Sequence, residues 1–260
     1  MNTFKSMLHW QVVSASVCGT SHVKNQQLCQ DAHHWQILAD NILVCAVADG
    51  AGSATFGKVG AMVAVQTAVE TVANAEEVNR RTLAEDRVVR SLLMDAVIAA
   101  KESVGQEATA CQRLMTDYAS TLILVIATPE MVAVAQIGDG VAVVKDYQGD
   151  LLALTLPDHG EYINETVFLT SPQAFDSLQL QILRQPIENV GVLTDGLQML
   201  AINMSIRAPH KPFFFPLFDF IANTEDQVAA KEQLAKFLSS ERISQRTDDD
   251  LTLVLAALKD

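Results

Sequence analysis

Short runs of Val, Ile and Leu, bounded by glycine-containing turns, alternate along this chain with longer stretches in which apolar residues recur every three or four positions. The short runs are typical of β-strands, because β-branched side chains pack well on a pleated surface. They predict strands at 10–17, 42–48, 119–127, 131–137, 141–147 and 250–258, and shorter ones at 151–156, 166–170, 178–184 and 190–194. The tight turns between 119 and 147 predict that the three strands there form an antiparallel meander.

The stretches with three- and four-residue periodicity predict amphipathic helices at 57–78, 82–104, 197–204 and 225–239. Thr82 and Glu85 have the spacing of a capping box, in which two side chains satisfy free amides of the first helical turn. We therefore expect the second helix to begin at Thr82. Its buried side is predicted to be formed by Val89, Leu92, Leu93, Ala96 and Ala100.

Antiparallel strands at short intervals, with the helices in separate blocks, predict an α+β fold in which helices cover two sheets. The composition, 49% hydrophobic and 19% charged, is enough to fill a large core. Because no linker, repeat or low-complexity segment divides the sequence, we expect one domain over residues 1–260.

Composition and charge narrow the possible partners and the location. The sequence has no apolar run of membrane-spanning length and no signal-peptide pattern at its start, so we expect no membrane contact and a cytoplasmic location. A net charge of -13 disfavours nucleic acid as a partner and favours a cation. Cys18, Cys29, Cys45 and Cys111 are widely spaced, so we expect small buried side chains rather than disulfides or a zinc site.

Acidic residues stand where predicted strands end or begin. Asp49, Asp139 and Asp195 each close an apolar run, and residues 248–250 are three aspartates directly before the last strand. Taken singly, Gly138-Asp139-Gly140 is a typical hairpin loop, and Asp49 and Asp195 are typical helix caps. As a set, however, they carry charges that no Lys or Arg in the same turns neutralises. Their side chains could converge on one edge of the core.

If these aspartates do converge, their negative charges must be balanced. Two carboxylates about 4 Å apart repel each other by roughly 4 kcal/mol at an effective dielectric near 20, a large part of a domain's stability. Raised pKa values would relieve this repulsion, and so would bound cations. An all-oxygen, acid-rich site suits Mg²⁺ or Mn²⁺, so we expect two or more hard divalent cations.

These motifs together resemble the metal-dependent Ser/Thr protein phosphatases of the 2C type, the PPM family, over nearly the whole chain. The matching pieces occur in family order: Gly19-Thr20-Ser21-His22 with Gln30-Asp31, Val47-Ala48-Asp49-Gly50, Ala119-Ser120-Thr121, Ile137-Gly138-Asp139-Gly140, Leu193-Thr194-Asp195-Gly196 and Asp249-Asp250-Leu251-Thr252. The resemblance implies a four-layer α-β-β-α sandwich, with two antiparallel sheets flanked by helices. It also implies hydrolysis of phosphoserine and phosphothreonine in phosphoprotein substrates.

The resemblance also implies roles for individual residues. Asp49 resembles the carboxylate that bridges two metal ions, with the carbonyl of Gly50 as a further ligand. Asp195 and Asp249 resemble the other ligands of the first ion. Asp31 resembles the acid that holds water near the second ion, and Asp139 resembles the ligand of a third. No side chain is expected to act as nucleophile, because two cations about 3.5 to 4 Å apart activate water and screen the phosphate.

The sequence departs from the family pattern at three positions. His22, with Lys24 nearby, stands where many members bind phosphate with an Arg, so these two residues are the candidate phosphate contacts. Gln30 replaces an acid, and Ala51 replaces a His that serves the leaving group, which leaves His22, His33, water or no group at all for that role. The Gln-Asp form with an upstream His is similar to a divergent bacterial branch of the family.

Three further expectations complete the sequence analysis. The altered Gln30 and His22 also fit an alternative function, a catalytically weak phosphatase-like module that regulates or binds another protein. His159 falls where the family has a variable flap beside the site. The apolar run from Phe213 to Phe218 is expected to pack in the core, with protein docking as the second interpretation.

Overall fold

The computed structural model describes residues 8–76, 78–157 and 166–259. The strands are β1 (His9–Val17), β2 (Ala32–Leu38), β3 (Ile42–Ala48), β4 (Leu122–Thr128), β5 (Met131–Ile137), β6 (Val141–Asp146), β7 (Leu151–Thr155), β8 (Gln179–Leu183), β9 (Ile187–Leu193), β10 (Ile202–Asn203), β11 (Ala208–Pro209) and β12 (Leu251–Lys259). The α-helices are α1 (Thr20–Lys24), α2 (Gly57–Ala73), α3 (Asp86–Ala110), α4 (Gln198–Ala201), α5 (Lys211–Ala222), α6 (Gln227–Leu238) and α7 (Glu241–Ser244).

The long strands form two antiparallel sheets of five strands each. One sheet has the order β1-β12-β9-β6-β7 and the other has the order β2-β3-β4-β5-β8, while β10 and β11 form a small separate pair. The first and last strands of the chain pair with each other, with Val13 opposite Leu255. This pairing brings residues 248–250 beside the segment that follows β1.

The two sheets face each other across an apolar layer, and the alternation along β3 shows why its sequence is apolar throughout. Leu43, Cys45 and Val47 point between the sheets, whereas Ile42, Val44 and Ala46 point outward toward α2 and α3. A strand covered on both faces must bury every side chain. Each fully buried Leu, Val or Ile contributes about 1.5–3 kcal/mol through its removal from water.

Helices cover the outer face of each sheet. The buried sides of α2 and α3 pack on the sheet that contains β3, and α5 and α6 pack on the sheet that contains β12. The predicted four-layer α-β-β-α sandwich of the α+β class is therefore confirmed.

The predicted meander is wrong, and the error bears directly on function. β4 and β5 do pair, but β6 belongs to the other sheet, where it pairs with β7 and β9. Gly138-Asp139-Gly140 is thus a crossing between sheets rather than a hairpin loop. Gly138 adopts φ +109°, a conformation that L side chains rarely adopt. Asp139 consequently stands at the edge where the two sheets meet.

The second helix begins four residues later than its capping box predicts. Thr82 lies in a short 3-10 turn, where its hydroxyl accepts from the amide of Asn79, and α3 starts at Asp86. This local hydrogen bond competes with the capping geometry. α3 also continues to Ala110, through residues expected to form a connection. Of its predicted buried face, Leu92 is only partly buried.

Several elements have no counterpart in the sequence-based prediction, the longest being β2 and α5, and one predicted strand is missing. β2 is hidden because two histidines and a Gln interrupt its apolar pattern. α5 contains Pro212 and Pro216, which usually end a helix, although proline is tolerated in the first turn. Residues 166–168 have no regular secondary structure and residues 169–170 lie in a turn, so the strand predicted there is absent.

Three remaining expectations can be compared with the described residues. Among these residues, no helix combines the length and the apolarity needed to cross a membrane. All four cysteines are free, but only Cys45 is buried: Cys18 and Cys29 are half-buried, and Cys111 is exposed. The expectation of four small buried side chains is therefore wrong for three of them. His159 lies outside the described residues.

Candidate active site

Asp49 is fixed at the end of β3 by the strand beside it. Its amide donates to Oγ1 of Thr121 at 2.9 Å, and its carbonyl accepts from the amide of Thr121 at 2.8 Å. Gly50 then makes a single bridge to Ser120. Because Thr121 directly precedes β4, both hydrogen bonds hold the backbone of Asp49 from the β4 side and leave its side chain at the sheet rim.

Five carboxylates meet at this rim. The pKa of Asp49 is raised, first by burial and then by the charges of Asp31, Asp195 and Asp249. Burial also raises the pKa of Asp195 to about 7, with Asp139 as the largest charged contributor. One carboxylate raises the pKa of another in this way only when the two groups lie close together. The fold therefore brings together the predicted residues Asp31, Asp49, Asp139, Asp195 and Asp249, which we call the acidic cluster.

Asp31 is the most deeply buried member of the cluster, at 5% exposure. Its Oδ2 accepts from the hydroxyl of Thr194 at 2.7 Å, and Thr252 supplies a second hydrogen bond. Burial raises the pKa of Asp31, and these two hydrogen bonds partly offset that effect. Its Oδ1 is buried and has no partner among the described residues. That oxygen can accept a hydrogen bond from a small ligand.

The three consecutive aspartates before β12 have different environments. Asp249 faces the cluster, because its charge raises the pKa values of Asp49 and Asp195. Asp248 is exposed, and only its carbonyl is used, by the amide and hydroxyl of Ser21. Asp250 is 1% exposed and accepts from the amides of Gly19 at 2.7 Å and Gln30 at 2.5 Å. Of the three, Asp249 is thus the one placed to bind a cluster ligand.

Gln30 holds the backbone that follows Asp49. With its side-chain nitrogen toward them, it donates to the carbonyls of Gly50 at 2.9 Å and Ala51 at 3.0 Å. A carboxylate at this position would have no hydrogen to donate to either carbonyl. The space is also closed, since a Cβ on Gly50 would lie 2.4 Å from the carbonyl carbon of Gly57. Gln30 therefore orients the Gly50 carbonyl instead of adding an acid.

The two predicted phosphate contacts occupy different positions. The side chain of His22 is 13% exposed, and its Nδ1 lies 2.8 Å from Oδ2 of Asp250, beside the cluster. Lys24 is exposed at the end of α1 and makes no ion pair among the residues described. His33 bonds through Nδ1 to the hydroxyl of Ser16, and its pKa is lowered to about 4, chiefly by burial. Being neutral at pH 7, His33 is poorly suited to protonate a leaving group.

Sequence reasoning missed several residues that shape the site. The hydroxyls of Thr121, Thr194 and Thr252 position Asp49 and Asp31, and the signal was available: each is a hydroxyl residue at the end of an apolar strand. The sequence does not distinguish Asp250 from the two acids that precede it. Lys58, in the first turn of α2, lies close enough to Cys18 to oppose the raised pKa of that thiol, which comes mainly from burial and Asp250. No pattern in the sequence marks Lys58.

The donor set of the acidic cluster fits hard divalent cations. Its side chains offer only oxygen, and within the described residues no Lys or Arg forms an ion pair with any of the five acids. Buried carboxylates without a counter-charge are costly, as the raised pKa values show. Bound Mg²⁺ or Mn²⁺ would supply that counter-charge and would use the oxygen ligands that these ions prefer.

The chain is similar in sequence and in fold to known protein phosphatases. A family profile described as Protein phosphatase 2C matches residues 18–239. Serine/threonine-protein phosphatase 3 of Escherichia coli K12 is 38% identical, in an alignment that covers 96% of this chain and 98% of that protein. Among solved structures, the S. agalactiae serine/threonine phosphatase superposes with a TM-score of 0.66 at 14% identity, over 96% of this chain and 100% of that one. The PstP catalytic domain, in complex with two manganese ions, has a TM-score of 0.63 at 15% identity, over 97% and 100%.

Proposed function

The chain belongs to the protein phosphatase 2C family, and we infer that it uses the acidic cluster to remove phosphate from phosphoserine and phosphothreonine in proteins. It is a metal-dependent protein phosphatase, and its substrates are phosphoproteins. The observation that carries this function is the meeting of five aspartates from five separate segments at one rim of the sandwich.

The proposed metal ligands are those that the family resemblance implies, and the meeting of these acids at one rim supports them. Asp49 and the carbonyl of Gly50 would bind two ions between them, with Asp195 and Asp249 completing the first site. Asp31 would lie beside the second ion, and Asp139 would bind a third ion. Support comes from the mutual electrostatic effects of these acids and from their lack of basic partners. When bound, the cations supply activated water and positive charge for the phosphate.

The chain's own residues would then orient the reactants. Oδ1 of Asp31 has no partner among the described residues and can accept a proton from the attacking water, while Thr194 holds Oδ2. As the water oxygen bonds to phosphorus, the ester bond breaks and the Ser or Thr hydroxyl leaves. We propose that His22, held beside Asp250, faces the phosphate and supplies a proton to this leaving oxygen. Lys24 would attract the phosphate from further away.

The direct test measures hydrolysis of a generic aryl phosphate and of phosphoserine, phosphothreonine and phosphotyrosine peptides. The expected result is Mn²⁺- or Mg²⁺-dependent turnover of the first two peptides, which a chelator removes and which His22→Gln lowers. Calorimetric titration with Mn²⁺ separates the alternative. A folded protein that binds no Mn²⁺ and hydrolyses none of these substrates would instead be a phosphatase-like regulatory module.

We also propose that the surface near Phe213–Phe218 docks protein substrates. Phe214, Leu217 and Phe218 are core residues, as expected. Phe213 and Pro216, however, line a cavity of about 530 Å³ that Arg242 and Arg246 border. Because no acid among the described residues lines this cavity, the occupant it suits is a substrate segment with apolar and acidic side chains.

The docking surface can be tested through substrate selectivity. Arg242→Ala combined with Arg246→Ala should lower kcat/KM for an acidic phosphoprotein and leave aryl phosphate hydrolysis unchanged. If the double variant and the unaltered chain have the same kcat/KM for the phosphoprotein, docking at this cavity is excluded.

The single domain over 1–260 and the cytoplasmic location stay predictions.

A further inference from the structure

Cys18, His22 and Asp250 form a cluster of possible metal ligands that the proposed phosphatase chemistry does not use as such. The Sγ of Cys18, a ring nitrogen of His22 and a carboxylate oxygen of Asp250 all lie within 4.8 Å of one another. The three residues come from the end of β1, from α1 and from the turn before β12, so only the folded chain brings them together. We propose that they bind one divalent cation of the zinc class, beside the acidic cluster.

The spacing suits tetrahedral coordination. With the usual bond lengths of zinc to sulfur, nitrogen and oxygen, neighbouring ligand atoms lie roughly 3.3 to 3.6 Å apart. The observed separations are within reach of small side-chain rotations. Three protein ligands would leave one position for water, as in sites that stay open to solvent.

The second observation is the state of the ligand atoms themselves. Nδ1 of His22 is buried and makes no well-aligned hydrogen bond to any described residue, although Oδ2 of Asp250 is only 2.8 Å away. Asp250 is held in place by the amides of Gly19 and Gln30. Such outer contacts orient metal ligands in known sites. The carboxylate is therefore fixed, and the imidazole nitrogen that faces it at 2.8 Å makes no well-aligned hydrogen bond.

The ligand types decide which cation fits. Thiolate and imidazole favour zinc and similar ions, whereas Mg²⁺ and Mn²⁺ favour oxygen. On binding, Cys18 loses its proton to solvent, and the thiolate and carboxylate together balance the two positive charges of the ion. The two sites therefore select different metals although they are neighbours.

Occupancy of this site would inhibit the phosphatase, a consequence that rests on the proposed role of His22. A ring nitrogen bound to the cation fixes the imidazole beside Cys18 and Asp250, so His22 is no longer available to the leaving oxygen. Zinc-class ions should thus lower the Mn²⁺-dependent rate. Cys18→Ser should keep the basal rate and lose this sensitivity.

The test uses Co²⁺, because a thiolate ligand gives Co²⁺ a charge-transfer absorption that oxygen ligands do not. The full chain is first saturated with Mn²⁺ and then titrated with Co²⁺ under reducing conditions. The expected result is a thiolate band that saturates at one equivalent. Cys18→Ser should abolish the band and weaken Zn²⁺ binding by at least about tenfold, the lower limit for losing even an outer contact of a metal site. Cys111→Ser, which alters an exposed thiol, is the matched control and should keep the band.

A measurement on the unaltered chain guards against a variant that does not fold. Zn²⁺ should slow alkylation of Cys18 and leave alkylation of Cys111 unchanged. Absence of a thiolate band, persistence of the band in Cys18→Ser, or equal protection of both thiols would each overturn the proposed site. None of these measurements requires turnover, so their failure is distinguishable from failure of the phosphatase function.

Discussion

Thr194 donates its hydroxyl to Oδ2 of Asp31 at 2.7 Å, and the amide of Thr252 in turn donates to that hydroxyl at 3.0 Å. The first contact joins the end of β9 to the residue before β2, which belong to different sheets. A hydrogen bond to the charged form of a carboxyl lowers its pKa. Thr194 therefore keeps Asp31 more acidic than its burial alone would allow.

Replacement of Thr194 by Val should raise the pKa of Asp31 and shift the acid limb of the pH-rate profile to higher pH. The sign follows because loss of the donor disfavours the carboxylate. Stability should fall by about 1–3 kcal/mol, the usual cost of leaving a buried polar group unpaired. Thr194→Ser keeps the hydroxyl and serves as control. An unchanged acid limb in Thr194→Val would show that Asp31 does not govern the reaction.

Asp49→Asn and Asp195→Asn should have opposite effects on activity and on the stability of the metal-free protein. Loss of a ligand should lower the Mn²⁺-dependent rate by more than about 100-fold, beyond what outer contacts contribute. In chelator at pH 8, however, each substitution should raise Tm, because it removes one charge from a cluster of buried acids. Asp219→Asn, on an exposed turn of α5, should change neither quantity. A lower Tm for both cluster variants would contradict the electrostatic account.

Much of this architecture could be predicted because local pattern and burial agree. Strands such as β3 and β5 are nearly continuous apolar runs between polar turns, and their bounds match the prediction. Where the sequence-based prediction failed, contacts between distant parts of the chain decided the structure. Nothing local to Gly138-Asp139-Gly140 shows that β6 joins the other sheet, and α5 tolerates Pro216 because its Phe and Leu side chains fill the core.

For the site, the sequence revealed the acidic residues but not the residues that hold them in place. The acids at strand ends were visible in the sequence, and the fold does bring them together. The function of Gln30 was not visible, because its two hydrogen bonds depend on carbonyls that a turn places beside it. Likewise, the distance between Cys18 and Asp250 along the chain hid their contact. Residue type and spacing can identify chemistry on one strand, but they do not reveal which strands become neighbours.

Gln30→Glu should destabilise the metal-free protein, even though it restores the more common acid of the family. A carboxylate there would face the carbonyls of Gly50 and Ala51 with no hydrogen to donate. The expected loss of unfolding free energy is about 1–3 kcal/mol, measured by denaturant unfolding in chelator. Added Mn²⁺ should recover part of that loss, because the new acid would lie beside the proposed metal ligand Gly50. Gln30→Met, which removes the donor without adding charge, separates the two effects.

The stability of the metal-free protein should fall as pH rises from 5.5 to 8. Burial raises the pKa of Asp195 from 3.8 to about 7. Since the folded-state pKa lies above the unfolded-state value, this group's stabilising contribution is fully present below about pH 4 and is lost as the pH passes through 7. The expected observation is a Tm in chelator that declines over this range, with a smaller decline in Asp195→Asn. Saturating Mn²⁺ should raise Tm more at pH 8 than at pH 5.5, because ligands bind the ion only when deprotonated. A metal-free Tm that rises over the same range would mean that the clustered carboxylates are already neutralised by groups of the protein itself, and the need for a bound cation would disappear.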